Sequence, residues 1–263
     1  MTTGYIFDLD GTVYLSNQVI DGAKDTIEYI RTQGDKVVFL SNNSVYSREE
    51  YVNKLKSMDI TVTLDEIINS SYVVAQYLKN NMLPGEKVWV LGELALLKEL
   101  ELHQIPLTHD PENANYVIIS WDRDFTYHKL LQVYKAWQAG AKLFATNPDR
   151  TCPTDVGQIP DCGAIIGAIE GATGEKIDAV IGKPSRFMAE AAVNQLQLTY
   201  DQCFMIGDRI ETDIKMGFEV GMKTIMVLSG ITNEKMLKNS PFKPTYTLKS
   251  IKEIPTIMEQ LMS

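Results

Sequence analysis

Short apolar runs and helical apolar spacing alternate along this chain from its first residues almost to its last. Tyr5-Ile6-Phe7 is a run of β-formers that leads into Asp8 and Asp10, and it reads as a buried strand. Residues 21–33 follow with Ala23, Ile27 and Ile30 at helical spacing, and Gly34 stands as a C-terminal stop. Residues 36–41 predict a second strand that runs into Ser41-Asn42-Asn43-Ser44. Ser47 and Glu50 form an S-x-x-E capping box opening a helix that ends near Met58, and residues 64–80 continue helical.

The turn-forming residues 80–85 break this pattern, which then restarts. Strands are expected over 87–91, 116–120 and 141–146, with helices over 93–102 and 126–139. A loop punctuated by Pro and Gly runs to Pro160, before a small-residue helix over 163–172. A third segment begins at Ala179, with a helix from Ser185 to Leu196, a strand over 202–207, a helix over 211–220 and a strand over 223–228. A short helix over 233–238, an edge strand over 245–248 and a final helix from Ser250 complete the pattern. Strands alternating with helices predict an α/β fold, doubly wound and Rossmann-like, with a parallel sheet and right-handed crossovers. The middle block predicts a second domain: a core of 1–80 and 178–263, with an α/β cap of 81–177 inserted into it.

At 263 residues, 44% of them apolar, the chain has material for one large domain or two smaller ones. A net charge of −9 argues against a nucleic-acid or anionic-membrane surface, so the attraction of an anionic substrate must be local. No apolar run approaches the length of a spanning helix, and no basic region followed by an apolar stretch opens the chain, so neither membrane span nor signal peptide is expected. Cys152, Cys162 and Cys203 are an odd, sparse set without CxxC spacing, which points to the cytoplasm and to no structural zinc. His103, His109 and His128 are scattered, as packing or surface residues are.

Candidate chemistry gathers at four predicted strand ends: Asp8 and Asp10; Ser41 and Asn42; Lys183; and Asp208 with Asp213. If these strands are neighbours, their carboxyl ends share one crevice. In an extended chain Asp8 and Asp10 face the same side, roughly 7 Å apart. Their mutual repulsion calls for a hard divalent cation with oxygen ligands. The set suits phosphoryl transfer. Asp8, ionised at neutral pH, serves as nucleophile, and Mg²⁺ held by Asp8 and Asp208 reduces its repulsion from the phosphate. Lys183 adds positive charge, and Ser41 with the amides after it binds the phosphoryl oxygens. Asp10 protonates the leaving alkoxide and later deprotonates the attacking water, a double duty that wants a raised pKa.

The chain resembles the haloacid dehalogenase superfamily of phosphatases. All four motifs of that family are matched: Asp8-Leu9-Asp10-Gly11-Thr12, Ser41 at a strand end, Lys183 in Gly182-Lys183-Pro184, and Gly207-Asp208 with Thr212-Asp213. More narrowly, 40–44, 145–149, 181–184 and 205–213 are similar to the NagD or p-nitrophenyl phosphatase branch. The resemblance spans nearly the whole chain. It implies a phosphatase of small monoesters such as sugar phosphates or nucleoside monophosphates, active on p-nitrophenyl phosphate, with Mg²⁺ as cofactor. Asp8 becomes an aspartyl-phosphate, and the metal takes Asp8, Asp208 and the backbone carbonyl of Asp10, with Thr12 and Asp213 behind them. Ser41, Asn42, Asn43 and Lys183 bind the phosphate. A homodimer through the cap is in keeping with the family.

A phosphomutase, with a sugar hydroxyl as acceptor instead of water, is the enzymatic alternative. A phospho-accepting receiver module is the non-enzymatic one, but it is about half this length. Neither a G-x-G-x-x-G turn nor a P-loop is present. Two departures fall in the cap: Pro160-Asp161-Cys162-Gly163 where the branch often shows Pro-Gly-x-Gly, and Ser120-Trp121-Asp122 where it often shows Gly-x-Asp. Asn147, Asp149, Asp161 and Cys162 are therefore candidates for substrate specificity. Asp161 either caps the helix that follows it or turns its carboxylate to the leaving group, which would favour polyols and sugars over carboxylated substrates.

Overall fold

The computed structural model describes residues 2–154 and 157–262. Its elements, in chain order, are β1 (Gly4–Asp8), a small hairpin of β2 (Tyr14–Leu15) and β3 (Gln18–Val19), α1 (Ala23–Thr32), β4 (Lys36–Ser41), α2 (Arg48–Ser57), β5 (Ile67–Asn69) and α3 (Ser70–Asn81). Then come β6 (Val88–Leu91), α4 (Leu94–Leu102), β7 (Tyr116–Ile119), α5 (Tyr127–Gln138), β8 (Lys142–Ala145), β9 (Thr151–Thr154), β10 (Gly157–Pro160), α6 (Cys162–Thr173) and β11 (Ala179–Val180). Last are α7 (Arg186–Leu196), β12 (Cys203–Gly207), α8 (Lys215–Val220), β13 (Lys223–Val227), α9 (Glu234–Asn239), β14 (Tyr246–Leu248) and α10 (Ile254–Met262). The fold is α/β, as the alternation predicts. Two compact units compose it: 1–41, 48–68 and 188–263 form the first, 42–47 and 69–187 the second.

In the first unit the strand order is β14-β13-β12-β1-β4-β5. Every residue of β1 and β12 is buried, because both are central strands covered on two faces, and β1 is apolar up to Asp8 at its end. Strand β1 runs parallel to β12 on one side and to β4 on the other, with Phe7 opposite Ile206 and Asp8 opposite Leu40. Residues two apart on a strand share a face. Tyr5 and Phe7 accordingly stack in a row with Phe204 and Phe39 on the face that α1 and α10 cover. From β1 the chain winds outward through β4 and β5, and it later returns to wind the other way from β12. The order therefore reverses between β1 and β12, and that reversal opens a crevice at their carboxyl ends.

The second unit has its own parallel sheet, β11-β8-β7-β6, and the two-stranded β9–β10. Its core joins Val117 and Ile119 of β7 and Leu143 and Ala145 of β8 to Val133 and Ala136 of α5 and Ile165, Ile166 and Ile169 of α6.

Several expectations change here. The helix expected over 64–80 is a 3-10 turn, Leu64–Glu66, then the edge strand β5 and only then α3. Ile67 and Ile68 gain more by burial at the sheet edge than by helix, and the Asn69 side chain caps α3 by accepting from the Tyr72 amide. The loop expected up to Pro160 contains the hairpin β9–β10, and its residues 155–156 lie outside the described residues. The helix expected over 211–220 opens as a π-turn, Ile210–Ile214. Strand β11 pairs with β8 in the second unit's sheet, so the strand preceding Lys183 is no neighbour of β1. The compact units themselves divide at 41/42, 47/48, 68/69 and 187/188.

Candidate active site

Two of the expected motifs meet at the crevice of the first unit. Asp8 is the last residue of β1, and Asp208 immediately follows β12. The π-turn after Arg209 swings Asp213 back beside them. One carboxylate oxygen from each of Asp8, Asp208 and Asp213 lies within 4.8 Å of the others. Asp8 is 7% exposed and the other two are fully buried. Glycine makes this crowding feasible: a Cβ on Gly11, whose φ is +92°, would run into the Asp208 carboxylate, and one on Gly207 into that of Asp213. Backbone amides hold the group in place. Ile231 donates to Asp208 Oδ2 at 2.6 Å and Arg209 to Asp213 Oδ2 at 3.0 Å.

Three buried carboxylates so close repel one another strongly, and an all-oxygen donor set fits a hard divalent cation rather than a softer one. Asp213, expected behind the ligands, stands within the cluster itself. The Asp10 carboxylate, half-buried, instead accepts from the Tyr14 hydroxyl at 3.2 Å. Burial, with Asp10 as the next cause, pushes the Tyr14 phenol well above its ordinary pKa. At the end of β4, the Ser41 hydroxyl meets that of Tyr51 at 2.9 Å. The Thr12 hydroxyl is fully buried and has no hydrogen-bond partner among the described residues. Ser229 donates to the carbonyl of Gly11 at 2.7 Å, bracing the turn.

The second unit gathers the remaining candidates. Asn42 Oδ1 accepts from the Lys183 amide at 2.7 Å, and Asn42 Nδ2 donates to the Lys183 carbonyl and to Asp149 Oδ2. Asn147 Nδ2 donates to Asp149 and to Asp161, at 3.1 Å each. Thus five residues chosen for two roles form one hydrogen-bonded net. The Lys183 side chain is buried, and Asn43 Oδ1 accepts from the Val45 amide. Asp161 stands at the N-cap of α6 and accepts from the Cys162 amide, as a capping residue does. Cys162 packs into that unit's core, where burial pushes its thiol up to about 12. Cys162, one of the expected specificity candidates, thus stands inside that core.

Sequence reasoning missed Tyr14 and Tyr51, which lie in an apolar-looking context with no spacing that ties them to Asp10 or Ser41. In the sequence Ser120 stands out only as a departure from the branch. Its hydroxyl joins Ser44 at 2.6 Å and Thr146 at 3.1 Å, and Thr146 in turn donates to Asn147. The hydroxyl where the branch often has Gly thus extends the net that holds Asn147.

Fold and site together define an α/β protein with a buried carboxylate cluster where its parallel sheet reverses. The family model described as haloacid dehalogenase-like hydrolase matches residues 5–106, and a HAD-hydrolase-like model matches residues 180–254. The sugar-phosphatase AraL of Bacillus subtilis (strain 168) is 40% identical over 257 residues, covering 98% of this chain and 93% of that protein. The solved p-nitrophenyl phosphatase from Archaeoglobus fulgidus superposes with a TM-score of 0.92 at 32% identity, covering 97% of this chain and 99% of that one. NagD from E. coli K-12 gives 0.88 at 30%, covering 96% and 98%. The chain belongs to the haloacid dehalogenase-like hydrolases, in the branch of NagD and the p-nitrophenyl phosphatases. It is an enzyme, a phosphoric monoester hydrolase. Among the described residues no helix is long and apolar enough to cross a membrane.

Proposed function

We propose that this phosphatase hydrolyses small phosphate monoesters, sugar phosphates foremost, through an aspartyl-phosphate on Asp8 and with Mg²⁺ as cofactor. The observation that carries the reading is the buried meeting of Asp8, Asp208 and Asp213 where the sheet reverses, with Asp10 two residues beyond Asp8. The same cluster would hold the metal, which supplies positive charge where an anionic substrate meets carboxylates. In the first step an oxygen of Asp8 bonds to phosphorus, the bond to the leaving oxygen breaks, and Asp10 gives that oxygen its proton. In the second, Asp10 takes a proton from water as the water oxygen attacks phosphorus and Asp8 is released as carboxylate. Ser41, Asn42, Asn43 and Lys183 are assigned to the phosphoryl oxygens. The similarity to a protein named sugar-phosphatase supports the substrate class.

Release of phosphate from p-nitrophenyl phosphate and from a panel of sugar and nucleoside monophosphates tests the reading. Activity is expected to depend on Mg²⁺ and to vanish on chelation; full activity after exhaustive chelation would remove the metal from the proposal. Asp8→Asn is expected to lose turnover. Substantial residual activity in that variant would favour direct attack by water. Isomerised sugar phosphate in place of free phosphate would establish a mutase. The cytoplasm as compartment, and a homodimer through the second unit, belong to the same proposal; light scattering tests the dimer.

A further inference from the structure

The turn after β1 doubles back on itself. The amides of Thr12, Val13 and Tyr14 converge on the carbonyl of Leu9, at 3.2, 2.9 and 3.3 Å, and the Gly11 amide donates to the carbonyl of Tyr14 at 2.8 Å. This return delivers the Tyr14 hydroxyl to Asp10 Oδ2, 3.2 Å away. Tyr14 is itself immobilised. Its side chain is fully buried, and the Lys54 ammonium of α2 sits 3.9 Å from the centre of its ring. Asp10, by contrast, is half-buried on a turn, and the terminal torsion of a carboxylate is broad and soft. A rigid donor at one oxygen fixes that torsion and with it the direction of the other oxygen.

We infer that Tyr14 is a positioning residue: its hydroxyl donates to Asp10 Oδ2 and so aims Asp10 Oδ1, which carries the proton, at the leaving oxygen of the substrate. The inference rests on the acid/base role proposed for Asp10. In the step concerned, the bond between Asp8 and phosphorus forms, the electron pair of the breaking bond passes to the leaving oxygen, and that oxygen takes the proton from Asp10. A sugar alkoxide is too basic to depart without that proton, whereas p-nitrophenolate departs readily without it. Misdirecting the acid therefore harms the first substrate and spares the second.

The test is kcat/KM for glucose 6-phosphate and for p-nitrophenyl phosphate in wild type, Tyr14→Phe and Asp10→Asn. The ratio kcat/KM reports events up to the first irreversible step, so slow release of the phosphate from Asp8 does not blur it. Tyr14→Phe keeps the ring under Lys54 and removes only the hydroxyl; its melting temperature reports whether the fold survives. The expected result is a fall of about tenfold for glucose 6-phosphate and less than about threefold for p-nitrophenyl phosphate, with Asp10→Asn showing the same bias more strongly. Equal losses on both substrates, or none, in Tyr14→Phe would overturn the positioning role. If only Asp10→Asn shows the bias, Tyr14 alone is wrongly assigned. If Asp10→Asn shows no bias either, the acid/base reading of Asp10 fails and takes this inference with it.

Discussion

Asp8→Asn keeps the size of the side chain and removes a negative charge from the crowded cluster, so its fold is expected to survive while its turnover falls by at least about 10⁴-fold. Circular dichroism beside the phosphate-release assay separates those two outcomes. Lys183→Ala is expected to lower kcat/KM by about 10²- to 10³-fold through lost charge, and Lys183→Arg is not expected to rescue a buried site shaped for an ammonium. Cys162 carries a prediction of opposite kind. A thiol is neutral when protonated, and burial raises its pKa from 9.0 to about 12. The folded chain therefore keeps a proton that the unfolded chain releases. The resulting stability is complete below about pH 9 and is lost as pH rises towards 12. Denaturant midpoints are expected to fall between about pH 8 and about pH 10, and Cys162→Ala is expected to show a shallower fall than wild type.

Among the elements, α6 has the clearest local dependence. Its N-terminus rests on the Asp161 side chain, which accepts from the Cys162 amide and from Asn147. Removing such a cap costs about 1 kcal/mol, so Asp161→Ala is expected to lower the melting temperature by a few degrees. With capping as its role, the ratio of kcat/KM for a sugar phosphate to that for phosphoglycolate is expected to stay within about twofold of wild type. A large fall of that ratio would return Asp161 to the leaving group. Strand β5 and helix α3 show the opposite case, in which local pattern is overruled. Residues 64–80 carry helical spacing throughout, yet Ile67 and Ile68 complete a sheet edge, and Asn69 starts the helix only after them.

At the scale of the whole molecule, the boundary of the second unit decides where the chain can be cut. Helix α3 packs on α4, and β11 completes the sheet with β8; α3 up to Asn80 and all of β11 fall outside 81–177. Excising 81–177 leaves the apolar faces of α3 and β11 without their partners. Replacing 70–187 with a flexible linker removes both along with most of the unit. The second variant is expected to yield the more stable remainder by thermal melting. A more stable remainder from the first would favour the boundary expected from sequence. Divalent cation is also expected to act on the molecule as a whole. Binding to the folded carboxylate cluster at about 100 times Kd adds about 2.7 kcal/mol of stability, so the melting temperature is expected to rise with Mg²⁺ in the absence of any substrate. Asp208→Asn is expected to blunt that rise.

Much of this was legible in the sequence because it is written locally. The alternation of strand and helix follows from apolar spacing within a dozen residues, and Asp8, Asp208 and Ser41 stand at or just beyond strand ends because each follows an apolar run directly. Glycine after an acidic pair marks a turn wherever it occurs, and Gly11 makes that turn here. What only the tertiary structure decided depends on partners far away in the chain. A two-residue strand such as β11 has no preference for one sheet over another until β8 supplies its hydrogen bonds. Asp213 enters the carboxylate cluster because a π-turn, held by Arg209 and Thr232, redirects it. Tyr14 reaches Asp10 because four hydrogen bonds from backbone amides fold the turn back, and no periodicity in the sequence encodes that return. Spacing fixes which residues share a face; hydrogen bonds and burial between distant segments fix which side chains meet.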